Sequence, residues 1–485
     1  MTRLSFLFVL LLTLLSPAIR AEDYEARTFQ GPDGQTLPYR LLTPANYDAQ
    51  KKYPLVLFLH GAGERGTDNK AQLRHCAPAF AKPEAREKYP CFVVVPQCPP
   101  EQKWADIDWR LEKPVQAVEP SAAMKLTLAT IAALEKEFSI DPDRRYVSGI
   151  SMGGMGTWDL ITREPERWAA AVPICGGGDP TKAARAAKVA IWAFHGDMDK
   201  AVPVAQTRNM IAGLEAAGAA PLYSEYPNVA HDSWTPAYQE PELFPWLFAQ
   251  RLGAPVPFAK VARPYAQPPS NTFPSAGPVQ PGIWFRPLWQ GKRSGWAASA
   301  AAELGAVVFF GDSITQGWET LAKDFPQLKV ANRGISGDTT RGLLMRLQED
   351  VIAVKPRAVS LLIGTNDLQL GAEPTLVARN IQSIIAELHK ANPQMPIVLN
   401  KVMPRGPQPG KFPEAIQRLN SLLEAAFGDD AQVTFCDTWS LFDDGSGAPR
   451  REEFPDMLHP NAAGYAKWKA ALEPILIKLK LSERP

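Results

Sequence analysis

Two serines in this 485-residue chain stand in sequences from which a hydroxyl can act as a nucleophile. Ser151 lies at the centre of Gly-Ile-Ser-Met-Gly at 149–153, and Ser313 follows Gly-Asp at 311–312. Because a serine hydroxyl is a weak nucleophile at neutral pH, it needs a histidine as base, and the histidine needs a carboxylate that fixes its tautomer. Acidic residues and a histidine follow each serine. The sequence therefore predicts two separate sites of acyl transfer to serine, and no cofactor or metal is implied at either.

The first serine precedes its candidate acid and base in the order typical of a nucleophile elbow, a strand-to-helix turn that exposes the serine. Asp197 and Asp199 follow an apolar run, and His231 comes next in Ala-His-Asp-Ser-Trp. Either aspartate is a candidate partner for this histidine. Upstream, His-Gly-Ala-Gly at 60–63 ends another apolar run, where a backbone N–H can help to bind an oxyanion.

Three motifs in residues 25–253 resemble the α/β-hydrolase superfamily; they lie at 60–66, 149–159 and 231–234. The closest resemblance is to its secreted esterase branch, which is related to polyhydroxybutyrate depolymerases and feruloyl esterases and often labelled predicted peptidases.

This resemblance implies that Ser151 is the nucleophile and His231 the base. By position in the family pattern His-Gly-x-x-Asp-x-x-Val-Pro, Asp199 is the acid, with Asp197 as the alternative. The implied oxyanion donors are the backbone amides of Ala62 and Met152.

Four ordered blocks surround the second serine. They are Gly-Asp-Ser-Ile-Thr-Gln-Gly at 311–317, Asn-Arg-Gly at 332–334, Gly-Thr-Asn-Asp at 364–367 and Asp-Met-Leu-His-Pro-Asn at 456–461. Together they resemble the SGNH (GDSL-type) hydrolase family, in its platelet-activating-factor acetylhydrolase-like and carbohydrate esterase members. The resemblance covers about residues 300–478.

Taken block by block, this resemblance implies that Ser313 is the nucleophile and His459 its base, oriented by Asp456. An acid and a base three residues apart can share one turn and converge on a serine. The implied oxyanion donors are the N–H of Gly334, the side-chain amide of Asn366 and the N–H of the nucleophile itself.

Several nearby residues have two interpretations. Trp234 is either a substrate wall or a core residue, and Trp318 is either a platform for a sugar ring or a core residue. We interpret Cys175 as a small buried hydrophobe rather than a second nucleophile. His60 and His195 are expected to structure their turns.

Both halves alternate short apolar runs with amphipathic segments, which is typical of parallel sheets covered on both faces. The predicted strands lie at 55–59, 91–96, 145–148, 171–174, 189–194, 307–310, 358–363, 397–401 and 433–436, and predicted helices at 121–138 and 374–391. In such sheets, sites form at the carboxyl ends of strands. The expected fold class is α/β, with an α/β-hydrolase domain followed by an SGNH-hydrolase domain of the flavodoxin-like, three-layer kind.

A proline-rich segment at 254–282 predicts a semi-rigid, extended linker. It separates a first domain at 22–253 from a second at 283–485, and both have ordinary domain sizes.

Residues 1–21 are typical of a secretory signal, with Arg3, an apolar run at 4–15 and small residues up to Ala21. The alternative is an uncleaved membrane anchor, but the run is shorter than the ~20 residues that a spanning helix needs. We expect a periplasmic or secreted protein without a membrane anchor after cleavage.

Net charge and cysteine content set further bounds. A net charge of +1 does not favour nucleic acid or anionic membranes. The five cysteines permit disulfides in an exported protein, and buried free thiols are the equal alternative.

The expected function is that of an exported, bifunctional serine carboxylic ester hydrolase. Its expected substrate is an acylated polysaccharide or oligosaccharide that loses acetyl esters, with feruloyl esters as a further acyl class. Three alternatives stay open: a peptidase in the first domain, since the same triad cleaves amides; a lipid or polyester esterase; and a non-catalytic half, which would require a broken triad.

Overall fold

The computed structural model describes residues 23–280, 284–406 and 412–481. The predicted signal segment at 1–21 lies outside the described residues, as does the predicted boundary between linker and second domain. Among the described residues, no helix combines the length and the apolar character needed to cross a bilayer.

An eight-stranded sheet forms the centre of the first domain, in the order β1-β2-β4-β3-β5-β6-β7-β8. The strands are β1 Glu25–Gln30, β2 Thr36–Leu42, β3 Tyr53–Leu59, β4 Phe92–Pro96, β5 Ile140–Ile150, β6 Ala170–Ile174, β7 Ala190–Gly196 and β8 Leu222–Tyr226. β2 pairs antiparallel with β1 and β4, and the remaining neighbours are parallel.

Helices cover both faces of this sheet. They are α1 Pro78–Ala81, α2 Pro83–Lys88, α3 Ala122–Glu137, α4 Met152–Arg163, α5 Ala205–Ala216, α6 Trp234–Tyr238 and α7 Leu243–Ala249, with 3-10 turns at Ala62–Glu64, Ala71–Leu73, Pro165–Arg167 and Pro180–Ala186. Every residue of β3 is buried, because successive side chains enter opposite cores: Leu55 and Leu57 join one cluster, and Val56 and Phe58 the other.

A five-stranded parallel sheet forms the second domain, in the order β10-β9-β11-β12-β13. Its strands are β9 Val307–Gly311, β10 Val330–Gly334, β11 Ala358–Leu362, β12 Ile397–Asn400 and β13 Val433–Cys436. This order is the flavodoxin-like one, in which β9 borders the point where the direction of winding reverses. Ser313 follows β9, so it lies at that switch point.

The helices of the linker and the second domain are α8 Phe258–Val261, α9 Phe285–Ser299, α10 Ser313–Gln316, α11 Leu321–Asp324, α12 Thr340–Asp350, α13 Thr365–Gln369, α14 Pro374–Ala391, α15 Phe412–Phe427, α16 Thr438–Phe442 and α17 Ala462–Lys478; 3-10 turns lie at Ser270–Thr272 and Ile352–Val354. The predicted α/β fold class is thus confirmed in both domains.

The linker was predicted to be an extended spacer, but in the structure it packs against the first domain. Phe258 lies edge-on to Trp192, with ring centroids 5.4 Å apart. The Asn271 side chain accepts a hydrogen bond from the Tyr223 N–H at 2.8 Å and donates to the Pro221 carbonyl at 2.9 Å.

The same segment also contacts the second domain. Thr339 Oγ1 donates to the Pro278 carbonyl at 2.9 Å, and the Arg341 guanidinium donates to Gly277 O at 2.9 Å and Ser270 O at 2.7 Å. Proline lacks an N–H, but the carbonyls of this segment accept freely and its apolar rings can be buried. The linker therefore joins the two domains through specific contacts.

Candidate active sites

The first candidate nucleophile lies at a strained turn between β5 and α4. Ser151 has φ 54° and ψ −116°, a left-handed conformation that is rare outside glycine. A Cβ at Gly149 would overlap the Gly153 carbonyl, and one at Gly153 would overlap the Leu59 carbonyl. The glycines of the motif are therefore needed because α4 packs directly against the strand ends.

His231 lies between this serine and an aspartate. Its Nε2 is 2.9 Å from Ser151 Oγ, and its Nδ1 is 2.7 Å from Asp199 Oδ2. The other carboxylate oxygen, Oδ1, accepts the backbone N–H groups of Ala201 at 2.8 Å and Val202 at 3.0 Å. The acid is therefore held in one orientation toward the histidine.

Of the two candidate acids, it is Asp199 that contacts the histidine. Asp197 instead accepts the Asn228 N–H at 2.6 Å and orders the adjacent loop. Burial alone would raise the pKa of Asp199, but hydrogen bonds from His195 and His231 outweigh it and hold the pKa below the usual carboxyl range. The carboxylate stays ionised and can stabilise an imidazolium.

His195 has a role that its sequence context did not reveal. Its buried ring places Nε2 3.2 Å from Asp199 Oδ2 and 3.1 Å from the Val202 carbonyl, with Nδ1 2.8 Å from Thr207 Oγ1. It therefore supports the acid through Oδ2, the same carboxylate oxygen that contacts His231. The signal in the sequence was its place as the histidine of the pattern His-Gly-x-x-Asp-x-x-Val-Pro, four residues before Asp199.

His60, by contrast, structures its turn, as predicted. Its Nε2 accepts the Cys98 N–H at 2.9 Å, and its Nδ1 lies 2.6 Å from the Gly61 carbonyl. Burial lowers the pKa of His60 to about 4, so the ring is neutral.

The two predicted oxyanion amides lie beside the first serine. Met152 follows it directly at the start of α4, and a Cβ at Gly61 would be 3.7 Å from Ser151 Cβ, which places Ala62 next to the serine in space. No hydrogen-bond partner for the N–H of Ala62 or Met152 occurs among the described residues. Both amides therefore remain available to an incoming oxygen.

Cys175 is buried close to the acid and base. One potential ligand atom from each of Cys175, Asp199 and His231 lies within 4.8 Å of the others. Burial raises the pKa of the Cys175 thiol, and a protonated thiol is a poor metal ligand and a poor nucleophile. All five cysteines are free, so the alternative of disulfides is not realised.

The second candidate nucleophile begins α10. The preceding Asp312 caps this short helix by accepting the Ile314 N–H at 3.0 Å. His459 Nε2 is 2.9 Å from Ser313 Oγ, and His459 Nδ1 is 2.6 Å from Asp456 Oδ2. The structure thus brings together the three residues predicted from separate blocks.

The second acid and base are more open to solvent than the first. The side chains of Asp456 and His459 are 56% and 41% exposed, whereas that of Asp199 is fully buried. Asp456 Oδ1 accepts the backbone N–H groups of Leu458 and His459 at 3.0 and 2.7 Å. These hydrogen bonds outweigh the effect of burial and lower the pKa of Asp456. The tight turn therefore both fixes the orientation of the acid and keeps it ionised.

Buried polar groups hold the second nucleophile loop. The Asn366 amide donates to the Asp338 carbonyl at 2.9 Å and lies 3.4 Å from Asp312 Oδ2. Arg346 donates to the Gly311 carbonyl at 3.1 Å and to Asp338 Oδ2 at 2.8 Å. The contact to Asp312 is long, so the second N–H of Asn366 is only weakly engaged and is the one available to a developing oxyanion.

The prediction that Gly334 donates to the oxyanion requires correction. Its N–H already donates to Asn332 Oδ1 at 2.9 Å. The better candidate is Gly337, with φ 81° and no partner for its N–H among the described residues. It lies between Ser336, whose N–H donates to Gln316 Oε1 at 2.9 Å on α10, and Asp338, which accepts from the Asn366 amide.

The two tryptophans with open interpretations differ in their surroundings. Trp318 is 1% exposed and packs on Trp468 and Tyr465, with centroids 4.7 and 5.3 Å away, so it is a core residue and offers no platform to a sugar. Trp234 is half-buried and perpendicular to His231 at 5.4 Å, beside the first site.

Comparison with known proteins finds a different hydrolase family in each half of the chain. The phospholipase/carboxylesterase family matches residues 46–241, and the GDSL-like lipase/acylhydrolase family matches residues 309–467. Platelet-activating factor acetylhydrolase IB subunit alpha2 from Bos taurus and from Homo sapiens is in each case 33% identical over 183 residues, which cover 37% of this chain and 79% of the relative. The chain belongs to the GDSL-like lipase/acylhydrolase family.

Two solved structures are also similar. One is described as a thermostable esterase; it is 40% identical with a TM-score of 0.45, over 47% of this chain and 64% of that chain's length. The other, a GDSL-like lipase from Bacteroides thetaiotaomicron, is 30% identical with a TM-score of 0.36, over 39% of this chain and 98% of that chain. With a hydrolase family matched in each half, the protein is a serine-type ester hydrolase with two hydrolase domains.

Proposed function

We propose that this protein is an exported, bifunctional serine carboxylic ester hydrolase that removes acetyl esters from polysaccharides, with feruloyl esters as a further acyl class. The observation that carries the proposal is the pair of separate serine–histidine–aspartate relays, one at the carboxyl ends of the strands in each sheet. Each relay has the contacts that a complete acyl-transfer cycle requires.

At the first site, Ser151 Oγ attacks the ester carbonyl carbon while His231 Nε2 takes its proton. Asp199 stabilises the resulting imidazolium, since its carboxylate lies 2.7 Å from Nδ1. The amides of Ala62 and Met152 stabilise the oxyanion. The imidazolium then protonates the leaving alcohol, and a water molecule, deprotonated by the same nitrogen, hydrolyses the acyl-serine to the free acid.

At the second site, Ser313, His459 and Asp456 perform the same steps. The Asn366 amide donates to the oxyanion together with the N–H of Ser313, and Gly337 takes the role first assigned to Gly334. Because Asn366 is neutral, its donation does not depend on pH. The exposure of the acid and base gives water ready access to the acyl-serine.

A small acyl group is supported for the second site by the acetylhydrolase relatives of this domain. For the first site, aromatic acyl groups are supported by Trp234, which stands perpendicular to the catalytic imidazole and is partly open. Export is supported by the signal-like composition of residues 1–21.

A second candidate for the first domain is a lipid or polyester esterase. Four large apolar side chains in this domain are exposed: Leu111, Val115, Val118 and Met198. Met198 directly precedes the acid Asp199 in the chain, which favours an apolar substrate at this site.

The test is ester release by the full chain and by Ser151→Ala, Ser313→Ala and double variants. Substrates are acetylated xylan, feruloylated xylan, a chain-length series of nitrophenyl esters and a peptide amide. We expect acetate release from xylan to require Ser313, and the double variant to be inert. Turnover of octanoate faster than acetate, with no release from either xylan, would instead establish a lipid or polyester esterase, and amide cleavage dependent on Ser151 a peptidase.

A further inference from the structure

An exposed aromatic ring stands at the second site outside the residues that match the GDSL-like family. Trp284 is 54% exposed and precedes α9, whereas that family match begins at residue 309. The helix behind it is firmly anchored, since Phe285 and Trp289 are buried against Ile335 in the loop after β10. The packing of the helix that follows therefore fixes the position of Trp284.

The ring touches a residue that borders the nucleophile and the oxyanion amide. A Cβ at Gly337 would lie 2.6 Å from Cη2 of Trp284, so the indole packs directly on this glycine. Ser336, just before Gly337, donates its N–H to Gln316 on the nucleophile helix α10. The carbonyl of Asp338, just after Gly337, accepts a hydrogen bond from the Asn366 amide. The indole thus forms part of the rim of the second site.

We propose that Trp284 is the wall of the second site on which a sugar ring of the substrate stacks. This inference rests on the proposed function, that is, on a sugar-bound acyl group as the target. A flat indole face with a polar N–H edge matches a pyranose ring, which has apolar C–H faces and a hydroxyl rim. An acetyl group offers little binding area, so the alcohol side of the ester must supply the binding energy that lowers the barrier.

Trp284 offers a sugar ring the stacking surface that the buried Trp318 cannot offer. The linker docks close to it, because Thr339, two residues beyond Gly337, donates to the Pro278 carbonyl. The specificity of the second domain is therefore built partly from chain that precedes its sheet.

The experiment uses the full chain in a Ser151→Ala background, which leaves the second site as the source of activity. Trp284→Ala, Trp284→Phe and the control Leu304→Ala are compared; Leu304 is a similarly exposed apolar residue that contributes to neither relay. The substrates are singly acetylated xylotriose and ethyl acetate, whose alcohol offers no ring to stack. Acid release is followed by titration at constant pH, and melting curves verify folding.

We expect Trp284→Ala to lower kcat/KM for the acetylated sugar about tenfold, mainly through KM, and to change ethyl acetate hydrolysis less than about twofold. Trp284→Phe should restore most of the loss, and Leu304→Ala should behave as the parent. An unchanged sugar ester, or equal losses on both substrates, would overturn the stacking role. If the Ser151→Ala parent cleaves ethyl acetate but not the acetylated sugar, the proposed function itself fails, and the inference fails with it.

Discussion

Replacing Asp199 by asparagine should disable the first site through the tautomer of its histidine. Both carboxylate oxygens have defined partners: Oδ1 accepts two backbone N–H groups, and Oδ2 faces His231 and His195. The asparagine oxygen must therefore keep the Oδ1 position, and its NH₂ group then faces His231 Nδ1. That nitrogen becomes an acceptor, so the ring proton moves to Nε2, where it points at Ser151 Oγ and no base remains.

The expected loss is about 10⁴ in kcat, the order of magnitude known for the wrong tautomer in a serine–histidine–aspartate triad. The assay is hydrolysis of nitrophenyl acetate by the full chain in a Ser313→Ala background, which isolates the first site. Asp197→Asn is the matched control, because Asp197 accepts the Asn228 N–H and has no contact with His231 among the described residues. It should change kcat less than about threefold.

A loss smaller than tenfold for Asp199→Asn would refute this reasoning, and so would an equal loss for Asp197→Asn. In either case the acid partner of His231 would be a different group. A melting temperature close to that of the parent ensures that the loss is not one of folding.

Three further outcomes are expected. Asn366→Ala should lower kcat at the second site about 10²–10³-fold with little change in KM, measured as acetate release in a Ser151→Ala background; a selective rise in KM would contradict the oxyanion role. Burial raises the pKa of Asp312 to about 7, so its protonated form stabilises the fold below the ordinary carboxyl pKa, and this contribution is lost as pH rises through about 7. The melting temperature of Asp312→Asn minus that of wild type should therefore be larger at pH 8.5 than at pH 5. An equal difference at both pH values would contradict the burial effect. Cutting the chain near Pro269 should leave two pieces that each melt cooperatively, since each domain has its own core, but at lower temperatures than the whole chain because the docked linker is broken; loss of a cooperative melt in either piece would reveal a shared core.

The sequence predicted those parts of the fold in which local pattern and burial agree. The apolar runs of β3 and β9 and the stripe of α14 are all confirmed, and Ser121 caps α3 by accepting the Met124 N–H at 3.1 Å. β1 was not predicted because it is an exposed edge strand with charged residues. β10 was not predicted because Asn332 and Arg333 interrupt its apolar character.

The site was predictable where chemistry requires particular side chains in a fixed order. Both serines, both histidines and Asp456 fall into contact as their motifs indicated. Backbone donors were less accessible to sequence reasoning, because any residue has an N–H and only geometry shows that of Gly334 to be occupied. The positions of Trp284 and Trp318 likewise depend on packing between distant segments, which no local pattern encodes.

The most direct test of two independent acyl-transfer serines is to count them by covalent trapping. A fluorophosphonate reacts with serines that are activated by a histidine, and each adduct adds a fixed mass to the intact chain. We expect two adducts on the wild-type protein, one on Ser151→Ala, one on Ser313→Ala and none on the double variant. A single adduct on the wild type, or a single variant that carries none, would show that one of the two relays does not activate its serine.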